Sequence, residues 1–209
     1  MKTKTNRILR KILSIALCLA LVMSYVPMVS ITASAKTLSV PSGYTAYNIE
    51  GGLSADGYGL PTLTISQNGN YYVYGTCTQK DAKILVKNGV TANIILDDVN
   101  LNVRETTQQA GIVIESGAEV TLLLAGNNYI EGGICSAGIS VPEGAMLTIS
   151  SFDGDSETTG NLTVVAKNSF QSGCGGAGIG ADGQTTYEIT EEKKRTVGDI
   201  IINGGTIST

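Results

Sequence analysis

Acidic side chains stand at two places where their type and spacing suit a divalent cation. Asp97 and Asp98 are adjacent at an expected strand end. Asp153, Asp155 and Glu157 alternate with other residues in a loop that contains glycine. Carboxylate oxygens that converge on one point are the ligands that calcium takes in proteins. We therefore expect calcium as a cofactor at one of these sets, and solvated turn acids are the alternative for both.

Tyrosine is the residue type in this chain best suited to hold a sugar ring. The chain has nine tyrosines, two phenylalanines and no tryptophan. A tyrosine ring offers an apolar face and a polar edge, so it can stack on a sugar while its hydroxyl forms a hydrogen bond. Packing in the core or in a terminal cap is the alternative for each ring. The candidates are Tyr71, Tyr72, Tyr74 and Tyr129.

The absence of histidine removes several kinds of catalytic site. The chain has no histidine among its 209 residues, which excludes a Ser-His-Asp triad, a Cys-His pair and a His-ligated zinc ion. No pair of acids stands out as the two carboxylates that a glycosidase requires. The residue types therefore favour binding over hydrolysis.

The first 35 residues have the order of a secretory signal peptide. Residues 2–11 carry five basic side chains and no acid, residues 12–26 are an apolar run, and residues 33–35 are an Ala-Ser-Ala cleavage site. A membrane anchor is the alternative, but the run is shorter than the roughly 20 residues of a span, and Pro27 ends it.

Cleavage after Ala35 makes the exported chain distinctly acidic. It removes five of the 14 basic side chains and none of the 18 acidic ones, so the net charge falls from −4 to −9. Negative charge disfavours nucleic acid and anionic membranes as partners. We expect a secreted protein that is extracellular or associated with the cell wall.

Internal repeats organise the rest of the chain. Ala-Gly-Ile occurs at residues 110–112, 137–139 and 177–179, with the first two copies 27 residues apart and the third 40 residues further on. Each copy begins a unit of three short β-branched or aliphatic segments. A strand this short cannot bury an apolar face alone, but stacked copies pair with one another and enclose a continuous core.

The repeat predicts an all-β fold, a single-stranded, right-handed parallel β-helix of stacked rungs with three strands each. We expect residues 36–80 to form N-terminal capping strands and residues 81–209 to form rungs that continue beyond the given C-terminus. A sandwich of antiparallel hairpins is the alternative. A sandwich, however, gives no reason for the sequence to recur every 27 residues. The isoleucines expected at one stacked position are Ile84, Ile112, Ile139 and Ile179.

The rung sequences resemble a known family of domains. The segments that carry the resemblance are IILDDVNL at 94–101, AGI at 110–112, GAEVTL at 117–122, GAGIG at 176–180 and IINGGTI at 201–207. They look like the carbohydrate-binding β-helix domains of secreted surface proteins of Gram-positive anaerobes, and the likeness covers roughly residues 61–209. The resemblance implies a fold similar to that of pectate lyases, bound calcium and a non-catalytic role in binding an extracellular polysaccharide.

Two other functions stay open beside polysaccharide binding. A lyase similar to pectate lyases would use a basic side chain to take a proton beside a calcium-bound uronate, and Arg104 is the one conceivable base. An exposed loop position is the alternative for Arg104. A structural stalk or adhesin segment would have no small ligand. For the binding role, calcium would bridge an acidic protein to an acidic glycan such as polygalacturonate.

Two cysteines are spaced to meet on neighbouring rungs. Cys135 precedes Ala137 by two residues, and Cys174 precedes Ala177 by three. Neighbouring strands lie about 4.8 Å apart, which is within the Cα separation that a disulfide accepts, and export permits oxidation. We expect a disulfide that leaves Cys77 over, with three unpaired thiols as the alternative.

Overall fold

Short β-strands build the described part of the chain, and most of them pair in parallel. The computed structural model describes residues 39–50, 52–103, 108–153, 160–169, 174–183 and 196–209. These residues contain fifteen strands and no helix, and the strands lie within the compact unit Val40–Thr209. None of them forms a helix that could cross a membrane. The strands are β1 (Thr45–Asn48), β2 (Thr62–Ile65), β3 (Gly69–Cys77), β4 (Lys83–Val86), β5 (Thr91–Asn102), β6 (Ile112–Ile114), β7 (Glu119–Ala125), β8 (Asn127–Ile134), β9 (Ile139–Ser140), β10 (Met146–Ser151), β11 (Asn161–Ser169), β12 (Cys174–Gly175), β13 (Ile179–Gly180), β14 (Asp199–Ile202) and β15 (Thr206–Ser208).

The first ladder is a five-stranded parallel sheet in the order β13-β9-β6-β4-β2. Each strand pairs with the corresponding strand of the next repeat along the chain. The register places Ile84 opposite Ile112 and Ile112 opposite Ile139. Ile139 lies opposite Ile179, which confirms the predicted stacked position. Leu63 in β2 lies opposite Ile84 and extends the column by one strand.

The second sheet divides into two further ladders because β5 bends in its middle. The second ladder contains the first halves of β3 and β5 together with β7, β10 and β14. The third ladder contains the second halves of β3 and β5 together with β8, β11 and β15. All of these pairs are parallel, whereas β12 is antiparallel to β11. The alternative of a sandwich built from antiparallel hairpins is therefore wrong.

Residues in the left-handed region make the corner between the second and third ladders. Asp98 in β5 has a φ of +54°, and Gly126, between β7 and β8, has a φ of +63°. A Cβ on Gly126 would lie 2.2 Å from Oδ1 of Asp98, so the two turns can stack only because Gly126 has no side chain. Beneath them, the buried Asn128 accepts the N–H of Val99 at 3.0 Å. The Asp97-Asp98 pair thus lies at a bend inside β5, which corrects the expected strand end.

Apolar side chains from the three ladders meet in one core. Buried and outward residues alternate along most strands, as in β7, where Val120, Leu122 and Leu124 are buried. Burial of each large aliphatic side chain contributes roughly 1.5–3 kcal/mol. The ladders of like residues therefore hold the repeats together and leave the alternate side chains outside. The largest fully buried side chains include Ile94, Leu96, Leu101, Ile112, Leu122 and Ile130.

A disulfide joins Cys135 and Cys174, with 5.2 Å between their Cα atoms, which confirms the predicted pairing. Among the described cysteines, Cys77 is free and buried. Next to the disulfide, the N–H of Gly183 donates to the carbonyl oxygen of Cys135 at 2.8 Å. The carboxylate of Asp182 accepts hydrogen bonds at 2.8 and 3.1 Å from two residues of the preceding repeat. The segment from β12 to Asp182 is thereby attached to that repeat by covalent and polar links.

Candidate functional site

One outward row of polar side chains crosses the third ladder. Its members are register neighbours on β3, β5, β8, β11 and β15 and alternate with core residues along most of these strands. Adjacent strands are about 4.8 Å apart, so five positions span about 19 Å. Tyr129 and Thr163 are half-buried, and the other three members are exposed. This polar row consists of Thr76, Asn100, Tyr129, Thr163 and Ser208.

Tyr129 is held beside an ion pair on the same face. Burial raises the pKa of the Tyr129 phenol, and the negative charge of Glu131 and the hydrogen bond that Glu131 accepts raise it further. Oε1 of Glu131 lies 2.8 Å from Nζ of Lys167, and 10% and 19% of the two side chains are exposed. Nζ of Lys167 also donates to the carbonyl oxygen of Val103 at 3.2 Å. The phenol therefore stays neutral at neutral pH.

The local fold explains why these three side chains meet. Tyr129 and Glu131 are two residues apart in β8, so they lie on one face of the sheet. Lys167 comes from the neighbouring β11, where the register shifts between Val165 and Lys167. A bulge of this kind re-aims the side chain that follows it. The shift is consistent with the ammonium group reaching the carboxylate across the strands.

The row has the chemistry to hold a polar ring-shaped ligand. The Tyr129 ring can pack against an apolar face, while the amide of Asn100 and the hydroxyl of Thr163 stand on either side of it in register. Amides and hydroxyls both donate and accept hydrogen bonds, as sugar hydroxyls do. The ion pair adds a fixed carboxylate and ammonium at the edge of the row.

The other predicted tyrosines lie elsewhere, on the first half of β3. Tyr71 is buried in the core, and its hydroxyl donates to the carbonyl oxygen of Gln67 at 2.6 Å. Tyr72 is also buried, and its hydroxyl donates to the carboxylate of Asp97. Burial is the largest cause that raises the Tyr72 pKa, and Asp97 raises it further. Tyr74 is half-buried with its ring 5.8 Å from that of Tyr72. Of the four candidates, Tyr74 and Tyr129 keep accessible surface.

The predicted cation ligands are only partly within the described residues. Asp155 and Glu157 lie outside them, and Asp153 is exposed. No group of three or more acidic, cysteine or histidine side chains in the described ranges is arranged to hold a metal ion. Asp97 accepts the hydroxyl of a buried tyrosine, and Oδ1 of Asp98 accepts the N–H of Asn127 at 2.8 Å. Oδ2 of Asp97 and Oδ1 of Asp98 therefore each accept a protein hydrogen bond at the corner in β5.

Three residues with prominent chemistry were missed in the sequence. Glu131 and Lys167 are charged residues inside apolar strands, and a charge in such a place indicates a partner. Tyr58 is 92% exposed, and its signal is an aromatic residue between two turn glycines, Gly57 and Gly59. The conceivable base of a lyase, Arg104, lies outside the described residues.

Comparison of the chain with protein-family models, with curated proteins and with solved structures found no match.

Proposed function

We propose that the chain is a right-handed parallel β-helix that binds an extracellular polysaccharide without cleaving it. The observation that carries the proposal is the polar row of the third ladder, with Tyr129 at its centre. Export is proposed from the basic, apolar and Ala-Ser-Ala segments of residues 1–35.

The topology supports the proposed coil. The three ladders take their strands from successive repeats in a constant order, and the pairing within each ladder is parallel. Crossover connections between parallel strands of one sheet are right-handed in about 98% of cases. A chain that passes through three parallel ladders in turn is therefore expected to coil with that hand.

The shape of the polar row supports an extended glycan as the ligand. A row that crosses five parallel strands repeats its backbone spacing at every step. A polysaccharide also repeats a ring and its hydroxyls at every step. The row offers one aromatic face, one amide and three hydroxyls in addition to the phenol, a mixture typical of sites where a few polar groups fix the ligand's orientation.

The contacts of Lys167 favour binding over cleavage at the polar row. A lyase needs a base that can take a proton. The ammonium group of Lys167 is engaged by Glu131 at 2.8 Å and by the carbonyl oxygen of Val103, and the chain has no histidine. The side chains next to the polar row can therefore bind and orient a ligand through their positions and charges.

Retention on insoluble glycans tests this proposal. The protein is incubated with cellulose, chitin, xylan and immobilised polygalacturonate, and Tyr129→Ala is compared with wild type. Loss of one stacking contact is expected to weaken retention about tenfold, and Tyr129→Phe should keep most of it. A parallel sample with chelator measures any contribution of calcium.

Three outcomes separate the candidate functions. Retention with no release of soluble sugar supports binding. Ultraviolet absorbance from unsaturated sugar ends would show a lyase. Absence of retention on every glycan would contradict the proposal and leave the structural stalk.

A further inference from the structure

The most exposed large apolar side chain among the described residues is a tyrosine at the tip of a tight turn. Tyr58 is 92% exposed and lies between β1 and β2. The next most exposed large hydrophobic residue in this part of the chain, Ile202, is 56% exposed. The Tyr58 ring thus contributes almost nothing to the core, although tyrosine carries a large apolar surface.

The backbone of this turn is held in one shape by Asp56. Oδ1 of Asp56 accepts the N–H of Tyr58 at 2.9 Å and the N–H of Leu60 at 3.0 Å. Two backbone hydrogen bonds close the turn, from Asp56 N–H to the Leu60 carbonyl at 2.8 Å and from Gly59 N–H to the Asp56 carbonyl at 2.9 Å. Four hydrogen bonds within five residues leave the turn little freedom.

The same carboxylate fastens the turn to the first ladder. Oδ2 of Asp56 lies 3.1 Å from Nζ of Lys83 in β4, and 13% and 14% of the two side chains are exposed. It also accepts the hydroxyl of Thr62 in β2 at 3.2 Å. Lys83 in turn donates to Oε1 of Gln109 at 3.3 Å. The turn is therefore attached to two strands of the sheet, and none of these contacts uses the side chain of Tyr58.

A rigid turn that exposes an aromatic ring can bind a ligand without first becoming ordered. Ordering a loop on association lowers affinity, and a loop that is already ordered avoids that loss. Gly57 and Gly59 have no heavy atom within 4 Å of the position that a Cβ would take. Space is therefore open beside the backbone on each side of Tyr58.

We propose that Tyr58 is a second glycan contact, which stacks on one sugar ring of the polysaccharide at the first ladder. This inference rests on the proposed polysaccharide binding. It adds a contact at the first ladder, whereas Tyr129 lies on the third ladder. A sugar fits better than a protein partner, because protein hot spots lie within a ring of packed neighbours. Tyr58 stands alone between two glycines and offers the contact area of one ring.

A tryptophan placed at this position gives a direct reading of the contact. The chain has no tryptophan, so Tyr58→Trp carries the only indole and its fluorescence reports this turn alone. The probes are soluble polygalacturonate and hydroxyethylcellulose, titrated separately. With at least one of them, the emission of Tyr58→Trp is expected to shift and saturate.

Retention on the insoluble glycans gives the second reading. Tyr58→Ala is expected to be retained about five- to tenfold more weakly than wild type, as loss of one stacking contact implies. The matched control is Phe152→Ala, which removes another exposed aromatic ring, 41% exposed, and should leave retention unchanged. Tyr58→Ala should fold normally because its ring is almost fully exposed.

The outcomes distinguish this inference from the proposal beneath it. If Tyr129→Ala weakens retention while Tyr58→Ala does not and the indole emission stays constant, the second contact is wrong and polysaccharide binding stands. If wild type is retained by no glycan and neither probe changes the emission, both are wrong. If Phe152→Ala weakens retention as much as Tyr58→Ala, the effect is general to exposed rings and the second contact is overturned.

Discussion

Glu131 and Lys167 form an ion pair across β8 and β11, with 2.8 Å between Oε1 and Nζ. The two residues are 36 positions apart in the chain, and both side chains are mostly buried. The pair stands beside Tyr129, whose phenol donates to the same carboxylate. Glu131 therefore contacts both the ammonium group of Lys167 on β11 and the Tyr129 side chain that we propose as the sugar platform.

The losses of stability caused by removing Glu131 and Lys167 should not be additive. Lys167→Met keeps most of the volume but leaves the Glu131 carboxylate without its cation, and we expect it to lower the free energy of unfolding by about 2–3 kcal/mol. The double variant Glu131→Gln with Lys167→Met should lose less than the sum of the two single variants. Urea denaturation measures all four proteins, and strict additivity would contradict the coupling.

Alanine at the corner glycine should be far more damaging than alanine at an open glycine. Gly126→Ala combines a φ of +63° with a Cβ placed 2.2 Å from Oδ1 of Asp98, and we expect a loss of about 3 kcal/mol or more. Gly89→Ala is the matched control, because its φ is +73° and no heavy atom lies within 4 Å. It should lose only about 1 kcal/mol. Equal losses in thermal or urea unfolding would show that the corner is not tightly packed.

The turn that carries Tyr58 should be sensitive to acid only at low pH. The N–H of Leu60, then the N–H of Tyr58 and the Lys83 ammonium, lower the pKa of Asp56 from 3.8 to about 2. Since the folded pKa lies below the unfolded one, the carboxylate stabilises the fold fully above pH 3.8, and that contribution is lost as the pH falls to about 2.

Comparison with Asp56→Asn isolates that contribution. The difference in stability between wild type and Asp56→Asn should be constant from pH 7 to about pH 5. It should shrink below pH 3.8 and become small near pH 2. A difference that does not depend on pH would mean that the pKa of Asp56 is the same in the folded and the unfolded protein, which would contradict this prediction.

Reduction of the disulfide should weaken the attachment of the later strands. Cys135 and Cys174 are separated by 39 residues, and a bridge over a loop of this size contributes about 2–4 kcal/mol. The Cys135→Ser, Cys174→Ser double variant should therefore melt below wild type under oxidising conditions. After reduction, wild type and the variant should melt at nearly the same temperature. Insensitivity of the wild-type melting temperature to reductant would contradict this.

The stacked isoleucine column could be predicted because the same residue type recurs at the same position of successive sequence repeats. Ile84, Ile112 and Ile139 occupy equivalent places in the sequence repeat, and parallel pairing converts equivalence in sequence into adjacency in space. The disulfide followed from the same argument, because the distance of each cysteine from its Ala-Gly-Ile copy sets its place in the stack.

The accessible side chains were harder to predict, because the alternation of side chains along a strand does not determine which outward-facing residues are buried. Tyr71 and Tyr72 point to opposite faces of β3, yet both are buried, so alternation alone does not reveal which tyrosine is accessible. Asp98 adopts a positive φ that few non-glycine residues take, and the bend of β5 there has no clear signal in sequence. The pairing of Glu131 with Lys167 depends on a register shift in β11, which strand patterns do not reveal.

Register pairing between equivalent strands gives the molecule a natural unit of length. A complete additional repeat inserted between two existing ones would find equivalent strands on both sides, as Ile112 does between Ile84 and Ile139. Such an insertion would add one position, about 4.8 Å, to the polar row. The length of the polar row is thus set by the number of repeats, and duplication of one repeat would lengthen the row without a new fold.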